Sequence, residues 1–295
     1  MGEELGTPGS VLNGAEALLK RASPSPQLDA ELLLASVLKQ PRTYVLAHRA
    51  DPLPARATRN FTSLVRRRAE GIPLPYLTRT KEFYGRTFVV TPAVLIPRPE
   101  TEAVAEEALR ILGTTSELRT VVADIGTGSG VLAVTIAADA PRARVVAADF
   151  SAAALEIARR NARRHKVARR ITFIESDLLT EIPPELAPHL MVANLPYVPT
   201  DELKHANEKP ETRGLTFEPQ RALDGGPDGL HVIRRFFAQI LRLNTQRSPL
   251  LTRLQALVLE HSPPQRRAVT ELAHKALPAL RPREAAPMVT TWTRA

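Results

Sequence analysis

A chain of 295 residues with 43% hydrophobic content exceeds a small domain and can bury a real core, so a large catalytic-type domain with a smaller companion is expected. The absence of cysteine excludes a disulfide framework, a cysteine-ligated zinc and a thiol nucleophile, and fits a reducing cytosol. A net charge of +9 admits weak RNA or ribosome contact through a basic surface, yet only seven of the 40 basic residues are lysine and the arginines are scattered, densest at Arg66-Arg67-Arg68, Arg159-Arg160 and Arg169-Arg170.

The opening MGEELGTPGS is acidic, lacks an apolar core, and has Gly6 where a myristoylation signal needs serine or threonine, so neither a secretory leader nor a lipid anchor is expected. No apolar run approaches the roughly 18 residues of a membrane span, so no membrane partner is expected. Residues 11–80 read as helical. VLNGAEALLKRA and SPQLDAELLLASVLKQ carry Leu and Val at helical spacing, the second entered through Ser25 as cap and Pro26 in the first turn. A third helix, ARATRNFTSLVRRRAEG, ends at Gly71 and is stopped by Pro73 and Pro75. Residues 81–98 turn to β-branched and aromatic types with proline punctuation, which predicts a short hairpin or an extended linker.

From residue 99 onward a helix, PETEAVAEEALRIL, precedes a regular alternation. The strands TVVADIG, ARVVAADF and RITFIESD are separated by the helices SGVLAVTIAADA and SAAALEIARRNARRH, and LMVANLPY follows as a fourth strand. A helix in GLHVIRRFFAQILRL, the strand LQALVLEH and the helix PQRRAVTELAHKAL complete the pattern. Strands alternating with helices imply an α/β domain with a parallel sheet covered on both faces, and such sheets bind ligands at the carboxyl ends of their strands. The expected division is residues 1–80, 81–98 and 99–295.

Four strand ends carry chemistry. Asp124-Ile125-Gly126-Thr127-Gly128-Ser129-Gly130 is a glycine turn that brings backbone N–H groups close to a ligand. A dinucleotide fingerprint needs glycine or alanine where Val131 stands, whereas an acid before the turn suits S-adenosylmethionine, which brings an ammonium and no pyrophosphate. Asp149 ends the second strand, where a carboxylate can accept both ribose hydroxyls; Ser151 already serves to cap the next helix. Asp177 ends the third, placed to accept an adenine amino group with Leu178 lining the base, or to be a solvated turn residue. Asn194-Leu195-Pro196-Tyr197 ends the fourth. There the Asn194 carboxamide oxygen and the Leu195 carbonyl can take the two N–H bonds of a planar nitrogen, Pro196 stiffens the turn, and Tyr197 packs on the planar substrate. Asn-x-Pro-Tyr alone marks methylation of an adenine amino group or of a glutamine side-chain amide.

KEFYGRTFVVTPAVLIPRPETEAV at residues 81–104, then DIGTGSG, NLPYVP, FEPQRALDGGPDGL and LVLEH, closely resemble the release factor glutamine N5-methyltransferases, the PrmC or HemK family. The resemblance runs from about residue 27 to residue 262, with the motifs in matching order. It implies a class I, Rossmann-like methyltransferase domain preceded by a small helical domain that engages the substrate. The cofactor is then S-adenosylmethionine, and the substrate the glutamine of the Gly-Gly-Gln loop of class-1 release factors. By that resemblance Gly126, Thr127, Gly128, Ser129 and Gly130, with Asp124, hold the methionine portion; Asp149 holds the ribose, Asp177 and Leu178 the adenine edge. Asn194 lies where donor and acceptor meet, and Asn194 to Tyr197 bind the substrate amide. Phe83, Arg98 and Glu100 border the pocket, although Phe83 is equally a core aromatic and Arg98 and Glu100 equally caps of the next helix.

Three departures stand out. The family usually has proline where Leu195 stands, and Asn-Leu-Pro-Tyr is also the form of ribosomal RNA adenine dimethyltransferases. NTQRSPLLTR replaces an expected glycine pair before LQALVLEH. The ending RPREAAPMVTTWTRA lacks the family's usual stretch, which weakens the expectation of two terminal antiparallel strands. Adenine methylation of RNA or DNA, and a non-catalytic ribosome or release-factor binding protein, therefore stand beside the leading reading. The chain is expected to be a cytoplasmic monomer.

Overall fold

The computed structural model describes residues 7–114, 120–208 and 212–294. The expectation resting on MGEELG, including Gly6, falls outside them. Two units emerge: Met1–Thr80 with Lys204–Phe217, and Lys81–Leu203 with Glu218–Ala295. Residues 204–217 thus group with the helical unit, although nothing in their composition separates them from the sequence around them.

The first unit holds α1 (Pro8–Leu19), α2 (Pro26–Leu38), α3 (Arg42–Ala47), α4 (Ala55–Ala69) and α5 (Leu74–Thr78). Leu12, Leu19, Leu33, Leu34, Phe61 and Val65 form its core. Ser25 occupies the N-cap position of α2, but its side chain makes no capping bond; its backbone N–H donates to the Ser23 hydroxyl at 3.0 Å. Pro73 and Pro75 do not merely stop α4. Pro73 caps α5 and Pro75 lies in its first turn, where a missing N–H costs nothing. Buried Asp29 and Glu31 on α2 each need a cation: Arg68 Nε lies 2.7 Å from Asp29 and Arg42 Nε 2.6 Å from Glu31. Arg68 is therefore spent inside the unit and does not belong to the basic surface suggested by Arg66-Arg67-Arg68.

The second unit opens with a hairpin, β1 (Thr80–Phe83) and β2 (Arg86–Val89); residues 90–98 form no strand. A short turn at Pro99–Thr101 leads into α6 (Glu102–Thr114). There follow β3 (Val121–Ile125), α7 (Val131–Asp139), β4 (Arg144–Asp149), α8 (Ala152–Arg164), β5 (Ile171–Glu175) and β6 (Leu190–Asn194). The chain continues through α9 (Thr200–Lys204), α10 (His231–Thr245), β7 (Ala256–Glu260), α11 (Arg266–Ala276), β8 (Leu280–Ala286) and β9 (Val289–Arg294). Ser151 caps α8 as expected, accepting from Ala154 N at 3.2 Å.

Seven strands form one sheet in the order β5-β4-β3-β6-β7-β9-β8. The first five run parallel, and β9 pairs antiparallel with both β7 and β8. The doubt over the terminal strands is thereby corrected: the altered ending still supplies a β-branched and aromatic run, Val289 to Trp292, all four residues of which are buried. The glycine pair missing before β7 is replaced by Arg247, which adopts the left-handed conformation (φ 52°) after α10. Strand residues alternate between two cores. Ala123, Ile125, Met191 and Ala193 join Phe236, Phe237 and Trp292 on one side, while Val122, Leu190 and Val192 join Val104, Val134 and Ile136 on the other. Chain order reverses between β3 and β6, so the loops leaving these neighbours diverge and open a crevice at their carboxyl ends.

Candidate active site

The loop after β3 is built by Asp124. Its Oδ2 accepts from the Thr127 hydroxyl at 2.6 Å and from Ala133 N at 3.0 Å, pinning the turn to the first turn of α7. Its Oδ1 is buried and has no hydrogen-bond partner among the described residues. Burial pushes this carboxyl up to about 7, against the two hydrogen bonds, with the Asp149 charge adding to the rise. Gly126, Gly128 and Gly130 have φ of 75°, 54° and 80°. At Gly130 a Cβ would also lie 3.0 Å from that of Ala158, so glycine is required there twice over.

Asp149, at the end of β4, ties this loop to the next. Its Oδ2 accepts from Gly128 N at 2.8 Å and its Oδ1 from Ser151 N at 2.9 Å, so each oxygen keeps a lone pair for a ligand. Asp149, Gly126, Phe150 and Pro196 line both lobes of a crevice, of about 450 and 360 Å³. The larger lobe adds Asp177, Leu178 and Leu195; the smaller adds Gly128, Asn194 and Val94. Asp177 is not a merely solvated turn residue, because its carboxylate pairs with Arg235 from α10. Asp124, Thr127 and Ser129 lie behind the lining. Thr127 and Ser129 are buried, and the Ser129 carbonyl accepts from Asn161 Nδ2 at 2.8 Å.

The Asn194–Tyr197 turn is clamped from behind. Leu195 is buried against Gly126, whose position would place a Cβ 3.2 Å from Leu195 Cδ2. Tyr197 donates its hydroxyl to Glu260 Oε1 at 3.0 Å, and its carbonyl accepts from Gln265 Nε2 at 2.9 Å. Burial, Glu260 and Glu100 together push the Tyr197 phenol far above its ordinary range. Val198 pairs with Asp224, and Gly229 packs so tightly that a Cβ would lie 2.2 Å from the Tyr197 carbonyl oxygen. That contact explains the last glycine of LDGGPDG.

The three bordering residues part company. Arg98 Nη2 donates to buried Glu218 Oε1 at 2.6 Å, while Glu218 Oε2 accepts from Ile96 N at 2.9 Å, so Arg98 fastens the 96–98 segment to FEPQRAL; it stands at the N-cap of the short turn Pro99–Thr101, but its side chain makes no capping bond there. Glu100 is exposed, and its charge acts on Tyr197 and Glu260. Phe83 does not border the crevice. It is 1% exposed and meets Phe88 edge-on at 6.1 Å, one of the core aromatics under α6. Sequence reading missed Phe150, Thr101, Arg221, Glu218 and Glu260. Phe150 alone had a local signal, an aromatic placed directly after the strand-end acid; it is 45% exposed inside the crevice, with the Arg221 guanidinium 5.9 Å from its ring centroid.

Residues 10–78 match the PrmC N-terminal domain and residues 107–207 the methyltransferase small domain. The release factor glutamine methyltransferase of Burkholderia pseudomallei is 43% identical over 227 residues, covering 75% of this chain and 77% of that protein. That of Xylella fastidiosa is 41% identical over 252 residues, 85% of each chain. The chain belongs to the release factor glutamine methyltransferases. As a member of that family it is a methyltransferase, and the reading as a non-catalytic binding protein is set aside. Among solved structures, the hMettl16 catalytic domain in complex with MAT2A 3'UTR hairpin 6 superposes with a TM-score of 0.55 at 14% identity, over 77% of this chain and 81% of that one, which shows a common fold. The family uses S-adenosylmethionine, and the residues present fit it: a buried carboxylate oxygen at Asp124 lacks a partner, Asp149 keeps acceptor capacity, and an aromatic face lines the crevice. Among the described residues no helix is long and apolar enough to cross a membrane.

Proposed function

We propose that the loops after β3, β4, β5 and β6 divide between them the family's reaction, methyl transfer from S-adenosylmethionine to the N5 nitrogen of a glutamine in the Gly-Gly-Gln loop of a class-1 release factor. The observation that carries this is the shared crevice: Asn194 and Pro196 at the end of β6 line the same space as Gly126, Gly128 and Asp149. Bound there, S-adenosylmethionine supplies an electrophilic methyl group. Asp124 with residues Gly126 to Gly130 holds the amino-acid end, Asp149 the ribose hydroxyls, and Asp177, Leu178 and Phe150 the base. A glutamine amide nitrogen is a poor nucleophile because its lone pair is delocalised. The Asn194 Oδ1 and Leu195 carbonyl accept its two N–H bonds and leave the lone pair facing the methyl side, and such alignment is worth up to about 7–11 kcal/mol when ideal. Once alkylated, the nitrogen is acidic enough to release its proton without a strong base. Tyr197, tied to Glu260 and Gln265, keeps the turn rigid and packs on the planar amide.

The helical unit engages the release factor, a role supported by the match of residues 10–78 to the family's N-terminal domain. We place the enzyme in the cytoplasm as a monomer, with at most weak RNA contact through its scattered arginines; the lack of cysteine suits that compartment. The deciding experiment offers radiolabelled S-adenosylmethionine with purified class-1 release factor in one tube and total ribosomal RNA in another, mapping the product by mass spectrometry. Label on the glutamine amide is expected; label on adenine would replace the acceptor assigned here.

A further inference from the structure

Next to Asn194 lies a buried polar cluster, Thr101 and Glu260, to which the proposed reaction gives no part. Asn194 Nδ2 donates to Thr101 Oγ1 at 2.8 Å. Glu260 stands directly across from Asn194 in the parallel pairing of β6 and β7, and it is 0% exposed. Its Oε1 accepts the Tyr197 hydroxyl, its Oε2 is buried with no hydrogen-bond partner among the described residues, and the Thr101 hydroxyl and the Asn194 carboxamide are near enough to act on its ionisation. Among the described residues no ion pair is formed by this dry carboxylic group, and the charge of exposed Glu100 raises it further. Such a group is expensive to bury, so its retention calls for an explanation.

The chemistry of the three partners supplies one. An Asn side chain can present either its oxygen or its NH2 to the crevice, and a threonine hydroxyl, being both donor and acceptor, does not decide between them. A carboxylate does, because it only accepts. With Glu260 ionised on that side, the Thr101 proton would turn toward the carboxylate and leave the Thr101 oxygen as an acceptor for the Asn194 NH2 group, which is the arrangement of the 2.8 Å bond from Asn194 Nδ2. We propose that Glu260 is a positioning residue that, through Thr101, locks the Asn194 carboxamide with its oxygen toward the substrate amide. This rests on the reading that Asn194 accepts a substrate N–H. Were the carboxamide reversed, two NH2 groups would confront one another and the glutamine would lose the acceptor that orients it. Burial raises the carboxyl, while Thr101, Tyr197 and Asn194 restrain the rise, so the orienting effect belongs to the ionised form of Glu260.

The test uses the full chain, a full-length class-1 release factor and S-adenosylmethionine. Glu260→Gln keeps the shape but introduces an NH2 donor, which permits the reversed arrangement. Expected is a fall in kcat of at least tenfold with S-adenosylmethionine affinity changed less than about twofold. The same substitution added to Asn194→Ala is expected to cause no further loss, because Glu260 acts through Asn194. Thr101→Val should reproduce the fall and Thr101→Ser, which keeps the hydroxyl, should restore most of the activity; this pair reads the same relay if Glu260→Gln fails to fold. Wild-type kcat in Glu260→Gln or in Thr101→Val, or losses that multiply fully with Asn194→Ala, would overturn the proposal. Wild-type kcat in Asn194→Ala alone would instead overturn the role given to Asn194.

Discussion

Asn194 and Asp149 border one crevice from different strands, and removing each should break a different half of the reaction. Asn194→Ala takes away an acceptor for the substrate amide, so kcat should drop about 100-fold while S-adenosylmethionine affinity, measured by calorimetry, stays nearly constant. Asp149→Ala should do the reverse and weaken cofactor affinity by about 1–3 kcal/mol, because it strips the ribose acceptor and leaves Gly128 N and Ser151 N without their partner. A matching loss of both quantities in either variant would show that the two residues act only by holding the loops. Asp124 makes a pH prediction. Folded, it keeps its proton up to about 7, whereas its ordinary value is 3.8. Between those values the folded state binds more protons than the unfolded one, so stability falls as pH rises toward 7 and levels off above it. Asp124→Asn should flatten that slope in urea denaturation of the cofactor-free protein, the maximum effect being about 4 kcal/mol. A slope unchanged by the substitution would assign the pH dependence to other groups.

Turns, more than helices or strands, hold this site in register. Gly229 approaches the Tyr197 carbonyl closely enough that Gly229→Ala must push the Asn194–Tyr197 turn or its own loop aside. The expected outcome is a loss of at least tenfold in kcat with a fall in stability of about 1–3 kcal/mol; full activity would mean that the loop moves without taking the turn with it. Legibility in the sequence follows the same division. The strand-end acids and the glycine turn were readable because their chemistry is local: Gly126 to Gly130 lie within six residues of Asp124 and leave one strand for one helix. Thr101 and Glu260 were not readable, since the first meets Asn194 across 93 positions and the second meets Tyr197 across 63. Arg98 carried a signal for importance but none for its partner Glu218, 120 positions away. Phe83 stayed open between two roles because an aromatic in a family segment looks alike whether it borders a crevice or fills a core, and the structure decides for the core. At Pro73 and Pro75 the rule that proline breaks helices was applied without its companion, that proline also begins them.

The sheet as a whole is finished by its last strand in sequence. β9 inserts between β7 and β8, and it covers the edge of the parallel strands that β7 would otherwise expose. Trp292 is the anchor, 1% exposed and edge-on to Phe237 of α10 at 6.2 Å, with an indole nitrogen that finds no partner among the described residues. Trp292→Ala should cost about 3–5 kcal/mol by denaturant titration, and Trp292→Phe clearly less, since it keeps the ring while removing an unpaired donor. Equal costs for the two would mean that the packing of an aromatic ring beside Phe237 is not what anchors the strand. Trp292 is also the one tryptophan in the chain. Intrinsic fluorescence therefore reports a single environment: emission is blue while the final strand is seated beside the strand that bears Glu260, and a red shift marks its release. One cuvette can thus distinguish a variant that has lost its chemistry from one that has lost its sheet.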